Sequence, residues 1–375
     1  MTCVNWRKNL FNKLFGIKNN WVVFFDVFSK NGNGDSIRPL AEELRKHRPD
    51  MKFFFCDCKK NRLASIDMAD EIITEGTLKF KYIYSRAKYV ISPMGFPNKG
   101  KKRVGQFFVQ TWHGSPIKKL YLSRDKEDKH YKRYARQFRN ADIFCMQGEI
   151  PSKLLQEAIE LNEQQFIKSG LPRNDILFKA DENFKCELKK KLGLPADKKV
   201  IFYCPTWRRY DRKAVLPFDI ERFKKELGDE YVILIRSHVG KHKWVNSKDE
   251  PVELFDNKFS FDGGEYPEAT HLYLISDIMV SDYSSAVFDF ALTRKPEILY
   301  IYDYEDYKKE FDLYFDYETF SPFPKVRTEE ELLRAIKNCG IDNNKYEEFI
   351  SEYLEYENGN ASEQVVNMML SKGNN

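Results

Sequence analysis

The feature that most constrains the fold is an alternation, from about residue 20 onward, of short apolar runs with longer segments of helical period. Runs typical of buried strands are 21–28, 51–56, 88–92, 106–111, 143–146 and 165–168, followed by 199–203, 231–235, 278–280 and 297–302. Segments of helical period include 36–47, 150–161, the stretch after Lys118, 182–192, 284–292, 329–338 and 345–354. Such βα alternation predicts an α/β protein with mostly parallel, doubly wound sheets.

The length of 375 residues and the distribution of charge both predict two domains. Residues 1–170 carry 32 basic and 18 acidic side chains, whereas residues 171–375 carry 30 and 39. Turn-forming residues at 170–175 coincide with this change of charge. The predicted organisation is a basic segment over residues 1–20, an N-terminal Rossmann-like domain over 21–175 and a C-terminal Rossmann-like domain over 176–375, with a ligand cleft between the two domains.

Several classes of protein are excluded by what the sequence lacks. No apolar run approaches the ~18–20 residues needed to cross a bilayer, and the N-terminal residues show no secretory signal. The seven cysteines are scattered and odd in number, which favours buried thiols in a reducing cytosol over disulfides or a metal site. There is no P-loop and no G-x-G-x-x-G after the first strand, so we expect neither a cofactor nor a metal.

The N-terminal segment from Trp6 to Ile17 has a basic amphipathic pattern. Its aromatic and aliphatic residues recur with helical spacing, and Arg or Lys residues lie between them. A helix of this kind can lie in the headgroup region of an anionic membrane. It can equally pack on its own domain.

His113 is the first candidate for chemistry. It follows the apolar run at 106–111, and a Gly and a Pro come shortly after it, so the predicted structure is a tight loop at the end of a strand. The unperturbed pKa of histidine allows proton exchange near neutral pH, which makes His113 a candidate general base. The alternative is a loop histidine that is hydrogen-bonded to the backbone.

Arg236 and His238 follow the run at 231–235. Residues two apart on a strand share a face, so we expect a cation and an imidazole side by side, as a phosphate site requires. A surface pair after an edge strand is the alternative. Arg208, which follows the run at 199–203, suits phosphate or carboxylate recognition.

Ser284 and Ser285 follow the run at 278–280 and precede a segment of helical period. The free N–H groups at the start of such a helix can bind a phosphate, and the two hydroxyls add further donors. Simple capping of the helix is the alternative, and it does not exclude phosphate binding.

The stretch from Lys118 to Asn140 is rich in Lys and Arg with interleaved Tyr and Phe. Such a patch can bind nucleic acid, an anionic lipid surface or a polyanionic acceptor. A solvated helix face is a further alternative. The acidic C-terminal half disfavours a general nucleic-acid binder.

Taken in order, five segments resemble the CDP-glycerol glycerophosphotransferases of teichoic acid and capsule synthesis, a family that includes ribitol-phosphate transferases. They are Val-Gln-Thr-Trp-His-Gly-Ser-Pro-Ile-Lys-Lys-Leu at 109–120, Ser-Gly-Leu-Pro-Arg-Asn-Asp at 169–175, Tyr-Cys-Pro-Thr-Trp-Arg at 203–208, Arg-Ser-His at 236–238 and Val-Ser-Asp-Tyr-Ser-Ser-Ala-Val-Phe-Asp-Phe at 280–290. The resemblance covers roughly residues 85–335. One departure lies at 321–324, where the family often carries Pro-Gly-Pro and this chain has Ser-Pro-Phe-Pro.

The resemblance implies a glycosyltransferase-B architecture, with an acceptor-facing N-terminal domain and a C-terminal domain that binds a CDP-polyol donor. It implies transfer of a polyol phosphate, most often glycerol phosphate, to a lipid-linked or oligosaccharide acceptor, with release of CMP and without a cofactor or nucleic acid. It also implies a peripheral position on the cytoplasmic face of a bacterial membrane. Contact with the anionic surface would come through the Trp6 to Ile17 segment and the Lys118 to Asn140 stretch.

The resemblance also assigns roles to individual residues. His113 matches the base for the acceptor hydroxyl, and His238 matches the histidine expected at the donor pyrophosphate. The remaining matches at the donor phosphate and nucleotide are Arg208, Arg236, Asp282, Ser284, Ser285 and Asp289, and the matches near the domain boundary are Arg173 and Asn174.

Two other functions remain open on the sequence alone. A glycosyltransferase that uses a nucleotide-sugar donor would share the fold. A non-catalytic protein that binds a membrane surface or nucleic acid would account for the basic aromatic stretch. The identity of the polyol, and the distinction between a primase and a polymerase, also remain open.

Overall fold

The computed structural model of the chain describes residues 15–26, 35–57, 66–97, 101–206, 208, 214–236, 244–246 and 250–373. These residues form two compact units. The first unit contains the chain up to His113, Leu120–Asp175 and the C-terminal segment from Glu355. The second unit contains Gly114–Lys119 and Ile176–Leu354.

A seven-stranded parallel sheet organises the first unit. Its strands are β1 (Lys18–Asp26), β2 (Lys52–Asp57), β3 (Glu71–Thr74), β4 (Ala87–Ser92), β5 (Phe107–Gln110), β6 (Ile143–Cys145) and β7 (Phe166–Ile167), in the order β3-β2-β1-β4-β5-β6-β7. Strand β1 is continuously apolar because both of its faces are covered. Val22 and Phe24 pack in the core on one face, and Val23 and Phe25 pack in the core on the other.

Helices cover both faces of this first sheet. They include α1 (Ile37–His47), α2 (Leu78–Arg86), α3 (Lys129–Ala135) and α4 (Glu149–Ile159). Helix α1 buries Ile37, Leu40, Ala41 and Leu44, whose spacing places them on one face of the helix. The last turn of α1 is basic, which complements the negative end of the helix dipole.

The second unit is built on a six-stranded parallel sheet. Its strands are β8 (Lys199–Cys204), β10 (Tyr231–Ile235), β12 (Ser260–Asp262), β13 (Ile278–Ser281), β14 (Glu297–Tyr300) and β15 (Lys325–Val326), in the order β12-β10-β8-β13-β14-β15, and a separate parallel pair joins β9 (Ala214–Val215) to β11 (Trp244–Val245). The helices from the unit boundary onward are α5 (Asp175–Lys179), α6 (Glu182–Lys191), α7 (Ile220–Leu227), α8 (Ala269–Ile275), α9 (Ala286–Ala291), α10 (Tyr304–Glu310), α11 (Glu329–Lys337) and α12 (Asn343–Tyr353).

The last helix, α13 (Ala361–Gly373), belongs to the first unit. The two carboxylate oxygens of Asp175 accept hydrogen bonds from the backbone N–H groups of Ala361 and Ser362, each at 2.8 Å. The apolar residues of α13 pack in the same core as residues of β1, β4 and β5. The start of α13 is therefore capped by Asp175, the residue that ends the second segment of the unit.

The division by contacts differs in two places from the predicted domains over 21–175 and 176–375. The chain from Glu355 lies with the first sheet because α13 needs that core to bury its apolar face. Gly114–Lys119 lies with the second sheet because its backbone pairs with residues 312–314. Sequence periodicity alone does not reveal either long-range pairing.

The predicted N-terminal helix lies mostly outside the described residues. Its last residues, 15–17, are not helical and lead into β1. The Phe15 ring lies 5.5 Å from the Tyr82 ring, edge to face, so this end of the segment packs on the first unit. Among the helices of the described residues, none has the length and apolar character needed to cross a bilayer.

Candidate active site

His113 stands two residues beyond Thr111, at the carboxyl end of β5. The intervening Trp112 has a φ of 55°, a left-handed conformation that bulky side chains rarely adopt, and Gly114 has a φ of 124°. The backbone thus turns sharply on both sides of the histidine. Such unusual conformations persist only where the surroundings hold them in place, and they often occur at functional sites.

Gln110 holds this turn from beneath. Its side chain is fully buried, and its amide oxygen accepts a hydrogen bond from Trp112 N at 3.0 Å. Its amide nitrogen donates to the Met94 carbonyl at 2.8 Å, and the Ser92 hydroxyl donates to the same carbonyl at 2.8 Å. The loops after β4 and β5 are therefore joined by neutral hydrogen bonds.

The imidazole of His113 has a defined orientation. Its Nδ1 lies 3.0 Å from the Pro93 carbonyl oxygen, and its ring lies 4.2 Å from the ring of Trp112. Because a carbonyl can only accept, Nδ1 must carry the proton of this hydrogen bond. In the neutral ring the lone pair is then on Nε2, which is the arrangement that a general base requires. A backbone hydrogen bond was the alternative to a general base at His113. The two are compatible, because this hydrogen bond sets the tautomer.

In the second unit, Arg208 lies at the centre of a buried ion network. Its guanidinium contacts both carboxylate oxygens of Asp303 at 2.6 and 3.0 Å, and one oxygen of Asp282 at 2.8 Å. It also donates to the Thr206 carbonyl at 2.6 Å. Burial by itself lowers the pKa of Arg208, but the Asp282 and Asp303 carboxylates outweigh it and raise that pKa above its usual range. Arg208 therefore stays charged at every accessible pH.

Aromatic rings enclose this network. The Arg208 guanidinium lies 5.1 Å from the ring centres of both Tyr283 and Tyr307, and those two rings stack at 3.7 Å. Cation–π contacts of this kind are stronger when the cation is shielded from water. The predicted donor residue Arg208 thus has its guanidinium committed to protein partners.

Asp282 joins the loops that follow β8 and β13. One carboxylate oxygen accepts from Thr206 N at 2.8 Å and from Tyr283 N at 2.7 Å, while the other pairs with Arg208. The hydroxyl of Tyr317 donates to the Asp282 carbonyl. The structure therefore places Asp282 as the residue that shapes the carboxyl edge of the second sheet.

Ser284 and Ser285 stand where predicted, immediately before α9. The Ser284 hydroxyl accepts from the Ala286 N–H at 3.2 Å, while Ser285 occupies the N-cap position and makes no side-chain capping bond. Both residues are half-buried. The Ser284 hydroxyl thus caps one N–H group at the start of α9.

Asp289 lies on the buried side of α9 and is 2% exposed. Its carboxylate acts on Glu297, at the start of β14. Burial, and next the Asp289 carboxylate, raise the pKa of Glu297 well above its usual range. Neither Glu297 carboxyl oxygen has a hydrogen-bond partner among the described residues. This places Asp289 in the interior of the unit.

Arg236 follows β10, as predicted, but its guanidinium serves the backbone. It donates to the Gly263 carbonyl at 2.9 Å, to the Pro267 carbonyl at 3.2 Å and to the Tyr266 carbonyl. These bonds hold the loop after β12 against the end of β10. His238, its predicted neighbour, lies outside the described residues, as do Trp207 and Arg209.

Arg173 and Asn174 belong to the first unit. Arg173 pairs with Asp35 at 3.2 Å, and its backbone N–H donates to the Ser36 hydroxyl at 3.4 Å. The Asn174 amide donates to Glu357 at 2.8 Å. The predicted boundary residues thus hold the start of α1 and the returning C-terminal segment.

Sequence reasoning missed several residues that the structure places near these groups. Asp303 lies three residues beyond the end of β14, so the rule of inspecting residues just after strands points to it. Gln110 was overlooked because a buried amide between two loops has no sequence signal. Lys118 was predicted to belong to the basic stretch that ends at Asn140, but the structure places it in the second unit, apart from residues 120–140.

The departure at 321–324 is accommodated by packing. Phe323 is 1% exposed and lies 5.2 Å from the Tyr346 ring and 5.1 Å from the Phe349 ring. The Pro324 carbonyl accepts from Leu299 N at 2.8 Å, which continues the sheet toward β15.

The cysteines of the described residues are free thiols that differ in burial. Cys56 and Cys145 are buried as free thiols, whereas Cys204 and Cys339 are half-buried and Cys186 is exposed. The expectation of buried thiols thus fails at Cys186, which lies on the outer face of α6. Within the described part of the chain, no three His, Cys, Asp or Glu side chains are grouped to hold a metal ion.

Two parallel α/β sheets, each with polar side chains at the carboxyl ends of its strands, define a protein of the glycosyltransferase-B-like class. This confirms the predicted fold class. The chain belongs to the CDP-glycerol:poly(glycerophosphate) glycerophosphotransferase family, whose model matches residues 8–371. The resemblance inferred from the ordered motifs is thereby confirmed.

Relatives of this chain act in teichoic acid synthesis, according to their names. A teichoic acid poly(glycerol phosphate) polymerase of Bacillus subtilis is 30% identical over 368 residues, which cover 92% of this chain and 48% of that protein. One from Bacillus spizizenii is 29% identical, with 94% of this chain and 93% of the relative covered. The chain spans about half the length of the polymerases from Bacillus subtilis and Staphylococcus epidermidis, 48% and 49%.

Solved structures agree with this relationship. A structure of the wall teichoic acid polymerase TagF with CDPG matches at a TM-score of 0.85 and 27% identity, covering 99% of this chain and 95% of that one. The UDP-GlcNAc 2-epimerase from Neisseria meningitidis matches at a TM-score of 0.52 and 13% identity, which shows a likeness of fold alone.

Proposed function

We propose that this chain transfers a polyol phosphate, glycerol phosphate first, from a CDP-activated donor to a hydroxyl of a teichoic acid, capsule or other membrane-associated glycan acceptor. The observation that carries the proposal is His113, held at a strand end with Nδ1 on the Pro93 carbonyl. Family membership and the names of the relatives support the choice of donor. The first unit would face the acceptor, and the second would hold the donor.

The reaction requires a base on the acceptor side. Nε2 of His113 accepts the proton of the attacking hydroxyl as its oxygen forms a bond to the phosphorus that carries the polyol. The bond from that phosphorus to the bridging oxygen breaks, and CMP leaves with the electron pair. The Pro93 carbonyl stabilises the imidazolium that forms, because Nδ1 still donates to it.

The donor side requires an environment that accepts negative charge. Ser284 and Ser285 offer hydroxyl groups at the carboxyl edge of the second sheet, next to the loop that Asp282 shapes. His238 is proposed at the pyrophosphate from its sequence motif. Arg208 and Arg236 support this edge through the contacts described above, and Asp289 is proposed there from its sequence motif alone.

Part of the stretch from Lys118 to Asn140 is suited to contact with an anionic surface. Tyr121 and Phe138 pack with each other at 5.9 Å, and Phe138 is buried, so these aromatics are not a platform for nucleic-acid bases. The exposed basic side chains of the first unit here are Arg124, Lys126, Lys129, Arg133 and Arg136. We place an anionic membrane, approached from the cytoplasmic side, against this basic face of α3.

Vesicle binding tests the membrane contact. Lys129→Glu combined with Arg133→Glu should weaken binding to phosphatidylglycerol vesicles, since each basic residue near such a surface contributes about 1 kcal/mol. Lys190→Glu with Lys191→Glu, on the exposed side of α6 in the second unit, is the matched control. Equal binding by both double variants would reject this face as the contact.

A donor screen tests the proposed reaction. The protein is incubated with a lipid-linked acceptor and with radiolabelled CDP-glycerol, CDP-ribitol or UDP-sugars, and the products are separated by size. We expect incorporation from a CDP-polyol, together with release of CMP. Incorporation from UDP-sugars alone would replace the proposal with a nucleotide-sugar glycosyltransferase, and incorporation from no donor would favour a non-catalytic binding protein.

A further inference from the structure

Lys118 belongs to the second unit, although it follows His113 by only five residues. Its backbone forms an antiparallel bridge with Leu313. On either side, Lys119 N donates to the Asp312 carbonyl and Tyr314 N donates to the Ile117 carbonyl, each at 2.8 Å. These bonds determine the position from which the lysine side chain extends.

The ammonium of Lys118 is partly buried and lies over aromatic rings. Nζ is 5.5 Å from the centre of the Tyr307 ring and 5.2 Å from that of Phe311. Within the part of the chain that the structure describes, it has neither an ion pair nor a hydrogen bond. Two π faces attract an ammonium, but they satisfy none of its three N–H groups.

The charged groups that act on Lys118 belong to the Arg208 network. Burial lowers the pKa of Lys118 to about 8, Asp282 opposes this change, and Arg208 adds to it. Asp282 is not available as a partner, because its carboxylate already binds Arg208 and two backbone N–H groups. Arg208 and Lys118 together balance the charges of Asp282 and Asp303, but the N–H groups of Lys118, at the carboxyl edge of the second sheet, have no acceptor among the described residues.

A partly buried ammonium whose N–H groups lack acceptors is costly unless a ligand supplies those acceptors. A phosphate oxygen is the ligand that a lysine recognises as a point charge. The edge at which Lys118 lies is the one where parallel sheets bind their ligands.

We infer that Lys118 Nζ donates to a diphosphate oxygen of the CDP-activated donor and is a further donor-binding residue. This inference rests on the proposed function. The lysine lies on the same short segment as His113, so the segment that carries the base also carries a group for the donor. No bond is made or broken at Lys118, which acts through its charge and its N–H groups.

Donor affinity measured by titration calorimetry tests this inference. Lys118→Met keeps the length and the apolar contact with Tyr307 and Phe311 but removes the charge. The dissociation constants of the full chain for CDP-glycerol and CDP-ribitol should rise roughly 10- to 100-fold, as expected for a lost hydrogen bond to a charged group. Lys308→Met is the control, because Lys308 also lies over a ring, 5.5 Å from Tyr304, but is exposed. It should leave both constants unchanged.

Cytidine, used as a competitor without phosphate, separates charge recognition from damage to the binding site. Its affinity should be equal in wild type and Lys118→Met, and Lys118→Gln should behave as Lys118→Met does. An unchanged constant for the CDP-polyols, or an equal loss for cytidine, would overturn the role of Lys118 while leaving the proposed function in place. Failure of the wild-type chain to bind either CDP-polyol would overturn both.

Discussion

The two units place their functional side chains at the carboxyl ends of parallel strands but hold them by different interactions. In the first unit, His113 donates from Nδ1 to the Pro93 carbonyl, and the neighbouring Trp112 N–H donates to the Gln110 amide oxygen, so that neutral hydrogen bonds hold the loop. In the second, Arg208 and two carboxylates form a buried ion network between stacked tyrosines. Hydrogen bonds between neutral groups hold the first site, and ion pairs hold the second.

This difference matches two chemical tasks. The base proposed at His113 would gain and lose a proton during each turnover, and neutral hydrogen bonds would let the ring do so while its orientation is retained. A donor site must keep its shape when an anion arrives. The raised pKa of Arg208 excludes proton loss there, so the network supplies rigidity rather than proton transfer.

Arg208→Met should give the largest loss of stability. It leaves Asp282 and Asp303 buried without their cation, and breaking a buried pair in this way costs about 3–5 kcal/mol. Urea unfolding, followed by tryptophan fluorescence, measures the change. Arg222→Met is the control, because its pairs with Glu329 and Glu330 are exposed, and we expect little change in stability. Equal losses of stability in the two variants would mean that the Arg208 network contributes no more than an exposed ion pair.

Gln110→Leu should cause the next largest loss and sharpens the comparison from the other side. It leaves Trp112 N–H and the Met94 carbonyl without the Gln110 partner, which costs about 1–3 kcal/mol. The turnover rate should fall as the histidine loop loosens, while donor affinity should stay constant. A parallel loss of donor affinity would show that the two sites are not held independently.

Glu297→Gln should have a smaller effect that depends on pH. The pKa of Glu297 is raised in the folded state, so its favourable contribution is full below the pKa of the unfolded chain and is lost as pH rises. The variant should therefore gain in stability relative to wild type from pH 5 to pH 8.

Glu347→Gln is the matched control, since the bond from Arg294 lowers the pKa of Glu347 and reverses the sign. Its stability relative to wild type should be lowest above the unfolded pKa and should recover as pH falls. Urea unfolding midpoints, measured from below the pKa of an unfolded glutamate up to pH 8, give both comparisons. A constant difference between Glu297→Gln and wild type would contradict the raised pKa.

Much of the fold could be predicted, because buried parallel strands are continuous apolar runs. The runs at 21–28 and 231–235 became β1 and β10 with only small changes of boundary. Short strands at sheet edges, such as β3 and β12, were missed because a few residues give too little periodicity. Helix α13 was missed as a part of the first unit because its core lies far away in sequence.

The positions of the candidate residues after their strands could be predicted, but their contacts could not. His113 was found because it follows a strand and precedes a Gly. Arg208 and Asp282 were both assigned to the donor, yet their pairing across 74 positions depends on neighbouring strands β8 and β13. A sequence motif names an arginine but not the carboxylate that it will face.

The central claim is that His113 supplies the base while the second unit binds the donor. The most direct test measures turnover with a CDP-polyol and a lipid-linked acceptor, together with donor affinity, in wild type and His113→Ala. We expect turnover to fall by at least ~10²-fold, as for a removed general base, with donor affinity and stability unchanged. Near-normal turnover in His113→Ala would contradict the account.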